Sequence, residues 1–218
     1  VLGDLMHSRM HVCDWAGFDE RLARMKEQLG EGRKVVNPFS VLALTADLAI
    51  LRKAAEVFAL HQRSEAFRLG PVSKRARHDR IRIGYYSADF HEHATAYLMA
   101  ELFELHDKNR FELVAFSFGP ETGDPMRQRL SSAFDRFVDV RLRTDREVAL
   151  LSREMGIDVA IDLKGYTEDS RPGIFACRTA PVQVSYLGFP GTMGVNFMDY
   201  IIADKTLIPT GSQSGYSE

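Results

Sequence analysis

The spacing of hydrophobic positions changes once along the chain. As far as about Leu69 it is helical: Phe18, Leu22, Met25 and Leu29 fall on one face, with Asp14 or Asp19 placed to cap the N-terminus and Gly30 and Gly32 to end the helix. After a turn at Asn37-Pro38, residues 46–67 carry Leu48, Leu51, Ala55, Phe58 and Ala59 on one side, which predicts a long amphipathic helix. Residues 70–80 then join Gly70-Pro71 to the basic run Lys74-Arg75-Ala76-Arg77-His78-Asp79-Arg80. Glycine and proline interrupt regular structure and the charges are most simply solvated, so this stretch reads as a tether between two packed units.

From Ile81 the period shortens and then alternates. Strands are predicted at Ile81 to Tyr86, Phe111 to Phe118, Phe134 to Val140 and Val159 to Leu163, separated by helices from Thr95 to His106, Asp124 to Ala133 and Asp145 to Met155. Val182 to Leu187 and Met198 to Ala203 supply two more strands. Strands alternating with helices predict an α/β fold, a doubly wound parallel sheet with right-handed crossovers, preceded by an α-helical segment. No internal repeat or low-complexity tract interrupts it.

Composition narrows the partners. Lys plus Arg (28) nearly balances Asp plus Glu (30), so net charge supplies no pull toward nucleic acid or an anionic membrane. No apolar run reaches the roughly 18–20 residues that span a bilayer, and Val1-Leu2-Gly3-Asp4 lacks the regions of a signal peptide. Cys13 and Cys177 lie far apart in no metal-ligand or redox spacing, and free thiols suit a reducing compartment, which makes cytoplasm the expectation. A start without Met and an end at Gly215-Tyr216-Ser217-Glu218, soon after a strand-like run, suggest a segment of something longer.

In open parallel sheets ligands bind beyond the carboxyl ends of the strands. The loop after the first strand, Ser87-Ala88-Asp89-Phe90-His91-Glu92-His93-Ala94-Thr95, sets a carboxylate, two imidazoles and a hydroxyl at the start of a helix, whose free amides favour a phosphate. His91-Glu92-His93 can be read as metal ligands, but no second ligand cluster accompanies it. The plain alternative is that Asp89 or Thr95 caps the helix and one histidine faces solvent. The loop Leu187-Gly188-Phe189-Pro190-Gly191-Thr192-Met193-Gly194 follows another strand, and its glycines either let a ligand approach the main chain or make a tight turn. It lacks the ending of a P-loop and the spacing of a dinucleotide fingerprint. In a third loop, Lys164 and Arg171 face anions or belong to a solvated loop.

Taken in order, Arg82-Ile83-Gly84-Tyr85-Tyr86-Ser87-Ala88-Asp89-Phe90-His91-Glu92-His93-Ala94-Thr95, Asp162-Leu163-Lys164-Gly165-Tyr166-Thr167, Arg178-Thr179-Ala180-Pro181-Val182-Gln183-Val184, Leu187-Gly188-Phe189-Pro190-Gly191-Thr192 and Met198-Asp199-Tyr200-Ile201-Ile202-Ala203-Asp204 resemble the first catalytic lobe of the O-linked N-acetylglucosamine transferases and their SPINDLY relatives. The start, with Cys13-Asp14-Trp15 and Asn37-Pro38-Phe39, is similar to the bridge between that family's tetratricopeptide repeats and its catalytic lobe. The resemblance implies a GT-B architecture, two Rossmann-like lobes with a nucleotide-sugar donor between them. It places a helical segment at residues 1–70, a linker at 71–80 and the N-terminal lobe at 81–218, with the C-terminal lobe absent.

It also implies site residues. His93 matches the family histidine beside the donor's sugar and phosphates, Asp89 an aspartate proposed as general base, and Thr95 a threonine near the same place. Leu187, Gly188 and Pro190, with Gly191 and Thr192, match the loop that lines the sugar pocket. Ala94 stands where the family usually has proline, and His91 falls where the family varies. The implied chemistry is inverting, metal-free transfer of N-acetylglucosamine from UDP-GlcNAc to Ser or Thr hydroxyls of proteins, with no cofactor. A hydroxyl needs a base or a proton path, and the departing diphosphate needs positive groups or amide dipoles. Since the resemblance puts the nucleotide pocket and a diphosphate-contacting lysine in the second lobe, this segment alone is expected to be silent. The rivals are SPINDLY-type O-fucosyl transfer from GDP-fucose, a non-catalytic interaction module, and a flavodoxin-like regulatory domain, which needs an acidic cluster where only Asp89 is found.

Overall fold

The computed structural model describes residues 1–62, 69–72 and 78–218. Residues 63–67, expected to end the second helix, and 73–77, within the expected linker, lie outside the described residues. Two compact units divide the chain: Val1–Ser64, Phe189–Asn196 and Ala203–Glu218 form one, and Glu65–Gly188 with Phe197–Ile202 the other. The sequence order is thus interrupted, because two segments that follow the sheet strands gather with the helices.

In the helical unit, α1 (Leu2–His11), α2 (Phe18–Gly30), α3 (Pro38–Val41) and α4 (Leu48–Gln62) are joined by a 3-10 turn at Gln213–Gly215. Met6, Met25, Leu29, Val36, Val41 and Val57 meet in one core, which is where the helical spacing of the sequence finds its partners. The start of α2 differs from expectation. Gly17, at φ +62°, is the N-cap, and Asp14 instead accepts from the Ala16 amide at 3.1 Å and pairs with Arg9. Asn37-Pro38 is more than a turn: Pro38 opens α3 with its fixed φ, and the Asn37 side chain accepts from the Phe39 amide at 2.9 Å.

The second unit is a sheet with order β3-β2-β1-β4-β5-β6, every pair parallel. Its strands are β1 (Ile81–Ser87), β2 (Phe111–Ser117), β3 (Arg136–Asp139), β4 (Val159–Asp162), β5 (Val182–Tyr186) and β6 (Tyr200–Ile202). Between them run α5 (Ala94–Leu105), α6 (Pro125–Ala133), α7 (Asp145–Glu154) and the single turn α8 (Gly173–Ala176). The central strands are apolar on both sides because helices cover both faces. Tyr85, Phe103, Leu113 and Leu130 fill one layer. On the other side Tyr86 stacks on Phe116 at 4.4 Å and meets Phe175 of α8 edge-on. β2, β4 and β5 each end one residue before the expected limit, and β3 and β6 lose three: Phe134 leaves the ladder to pack against Phe103 and Phe90, and β6 keeps only three residues.

From β1 the chain moves outward through β2 to β3, then returns to β4 on the opposite side of β1. That reversal makes the C-terminal ends of β1 and β4 the switch point of the sheet, the place where ligands bind in open parallel sheets. Among the described residues no helix is long and apolar enough to cross a membrane.

Candidate active site

The loop after β1 is fixed before any ligand arrives. The Ser87 hydroxyl accepts from the Asp89 amide at 2.9 Å. Phe90, 2% exposed, sinks into the ring cluster of Phe103, Phe134 and Phe137. Buried Arg127 of α6 donates to the Phe90 carbonyl at 3.2 Å and to Ser117 Oγ at 3.1 Å, and its other nitrogens hold Glu121. Gly119, after β2, lies against the Ala88 carbonyl so closely that a Cβ there would stand 1.7 Å from the oxygen. Asp89 and His93 therefore project from a loop anchored on its core, front and flank.

Lys164, from the loop after β4, reaches across the switch point to Asp89. Its Nζ lies 2.9 Å from both carboxylate oxygens, and the two side chains are 6% and 8% exposed. The Lys164 amide is held by Asp162 Oδ1 at 2.9 Å. Burial pushes the Asp162 carboxyl up to about 6, against the opposing pull of the Lys164 and Gly165 amides and the Lys164 charge.

His93 stands at the outer side of this pair, 42% exposed, with Nδ1 3.6 Å from Asp89 Oδ2. It is also the N-cap of α5, its Nδ1 accepting from the Thr95 amide at 3.2 Å. Capping thus falls to His93, not to Asp89 or Thr95, because Asp89 is turned toward Lys164. The His91 and His93 rings are 5.8 Å apart, and among the described residues no group of three His, Cys, Asp or Glu is gathered as a metal site.

Leu187 and Gly188 belong to the same unit. Gly188 donates its amide to the Tyr186 carbonyl at 2.8 Å, with Leu187 between them at φ +65°, a γ-turn that places a bulky residue in the left-handed region. A Cβ on Gly188 would stand 1.9 Å from the Leu163 carbonyl oxygen, so only glycine lets the loop after β5 lie on the loop after β4. The remaining three expected residues belong to the helical unit. There Tyr216 Oη donates to the Pro190 carbonyl at 3.0 Å, and Thr192, 4% exposed, donates to Glu218 Oε2 at 2.7 Å and accepts the Ser217 and Gly194 amides. Gly191 faces the Phe189 ring.

The structure therefore brings Asp89, His93 and Thr95 together and sets Leu187 and Gly188 in the same unit. The sequence reading missed Lys164 as Asp89's partner. A lysine two residues beyond a buried strand carries that signal only once this strand is known to lie beside β1. Arg171 is not offered to anions: it is spent on Asp145 Oδ1 at 2.7 Å and on the Val140 and Arg143 carbonyls.

Known proteins are similar to this chain in sequence and in fold. The family described as Glycosyl transferase family 41 matches residues 12–218. The probable UDP-N-acetylglucosamine--peptide N-acetylglucosaminyltransferase SEC of Arabidopsis thaliana is 30% identical over 98% of this chain and 23% of its own length. The UDP-N-acetylglucosamine--peptide N-acetylglucosaminyltransferase of Caenorhabditis elegans is 32% identical over 95% of this chain and 19% of its own. The SPINDLY protein of Arabidopsis thaliana matches 59% of this chain at 31% identity. Among solved structures, a mutant O-GlcNAc transferase of Thermobaculum terrenum superposes with a TM-score of 0.74 at 28% identity, covering 92% of this chain and 40% of that one. This chain thus spans less than a quarter of the two enzymes that match nearly all of it. With a family match that runs from residue 12 to the last residue and a sheet that superposes on a member's, the chain belongs to glycosyltransferase family 41.

Proposed function

We propose that this chain is the first catalytic lobe of a transferase that moves N-acetylglucosamine from UDP-GlcNAc to Ser and Thr hydroxyls of proteins, with a second lobe completing the donor site. The observation that carries this reading is the placement of His93: an exposed imidazole at the sheet's switch point, backed by a buried carboxylate, at the head of a helix of twelve residues. There the amides at the helix start and the imidazole can meet a diphosphate as charge develops on it, while Leu187, exposed in the loop after β5, offers an apolar edge from the same unit. No metal is assigned to the step. The donor reading is supported by the names of the relatives: those that match nearly the whole chain are named for UDP-N-acetylglucosamine, and so are the SPINDLY relatives, which match about 60% of it.

The test is label transfer from UDP-GlcNAc and, in parallel, GDP-fucose to a lysate, using the complete enzyme beside the 218-residue segment. Label from the uridine donor with the complete enzyme alone is the expected result. Label from the guanosine donor transfers the reading to O-fucosylation, and silence with both donors favours a binding module. In the active enzyme His93→Ala is expected to lower transfer by about a hundredfold or more while the fold survives, since the ring is exposed and its cap is worth only about 1 kcal/mol. Near-parental turnover of that variant removes His93 from the mechanism.

A further inference from the structure

The Lys164 ammonium is buried at the switch point, and stability alone does not explain it. Two charges taken out of water carry a desolvation penalty that even good geometry offsets only in part, and apolar side chains of similar volume would hold the loops as well. The other groups around Asp89 have separate tasks. Arg127 is engaged by Glu121 and the Phe90 carbonyl, Asp162 takes the Lys164 amide, and Asp124 takes the Glu92 amide with His91 nearby. Among the described residues, two charged or titratable side chains flank the Asp89 carboxylate directly: Lys164 on its buried side and His93 on its solvent side.

We infer that Lys164 is a positioning residue: it clamps both oxygens of Asp89 so that the carboxylate stands fixed against the Nδ1 edge of His93, and Asp89 acts through that imidazole, not as the proton acceptor itself. Accessibility separates the two roles. The His93 side chain is 42% exposed and can touch a substrate, whereas the Asp89 side chain is 8% exposed with both oxygens on one ammonium. The Thr95 amide takes the Nδ1 lone pair and sets the ring, while the Asp89 charge 3.6 Å away acts on that edge through space, and misplacement of a reacting group by about 1 Å lowers turnover about a hundredfold. This inference rests on the proposed placement of His93 at the donor.

The experiment measures steady-state transfer and thermal unfolding of the complete enzyme as K164M, D89N, the double variant D89N/K164M, and H93A, with the donor that labels. K164M and D89N are expected to lose about tenfold or more in kcat with donor KM changed by less than about threefold. The double variant leaves no lone buried charge, so it is expected to recover the parental melting temperature while kcat stays low. Recovery of kcat together with the melting temperature makes the pair merely structural and overturns the inference, as does parental kcat in K164M. An active H93A instead refutes the site itself, so the two failures are told apart.

Discussion

Asp162→Asn is expected to stabilise the sheet unit, and by an amount that depends on pH. The carboxyl ends β4, 3% exposed, and burial raises it from 3.8 to about 6. Below pH 3.8 it is protonated in both folded and unfolded chains, so the side chain adds no pH dependence. As pH rises toward 6 the fold retains a proton that the unfolded chain has released, and stability falls. Above that range the ionised carboxylate is buried at a penalty of about 3 kcal/mol, from roughly 1.4 kcal/mol for each tenfold in proton affinity. Asparagine keeps an acceptor for the Lys164 amide and carries no charge. Its advantage over the parent should therefore grow by about 2 kcal/mol between about pH 4.5 and 7.5, or about 4–8 °C in melting temperature for a chain of this size. Urea unfolding followed by far-UV circular dichroism measures it. A difference between the two proteins that stays constant with pH refutes the reasoning, because it means that the carboxyl titrates alike in both states.

Two further substitutions probe what holds the site. Gly119→Ala drives a Cβ into the Ala88 carbonyl, the residue before Asp89, so a stability loss of about 2 kcal/mol should come with a fall in transfer; parental values in thermal unfolding and in label transfer would contradict the close approach. Thr144→Ala removes the capping box of α7, in which Thr144 accepts from the Glu147 amide and Glu147 accepts from the Thr144 amide at 2.7 Å. About 1 kcal/mol should be lost in denaturant unfolding, with transfer unchanged since α7 carries no site residue.

The sequence by itself determined the elements of the sheet unit and where to look on it. Strands buried on both faces and helices with one apolar side impose their periods locally, so β1, β2, α5 and α7 were legible to within a residue or two. The loop from Asp89 to Thr95 stood out because polar groups follow a buried strand there. One-turn elements such as α3 and α8 are too short to show a period. What only the tertiary structure decided is adjacency across the sheet. Strand order places β4 beside β1, which turns Lys164 from a residue of a solvated loop into the buried partner of Asp89 and leaves the helix cap to His93. The allocation of Pro190, Gly191 and Thr192 to the helical unit, where the side chains of Tyr216 and Glu218 bond to Pro190 and Thr192, was equally unreadable. Those contacts join residues about 25 positions apart, and no local period encodes a pairing at that distance.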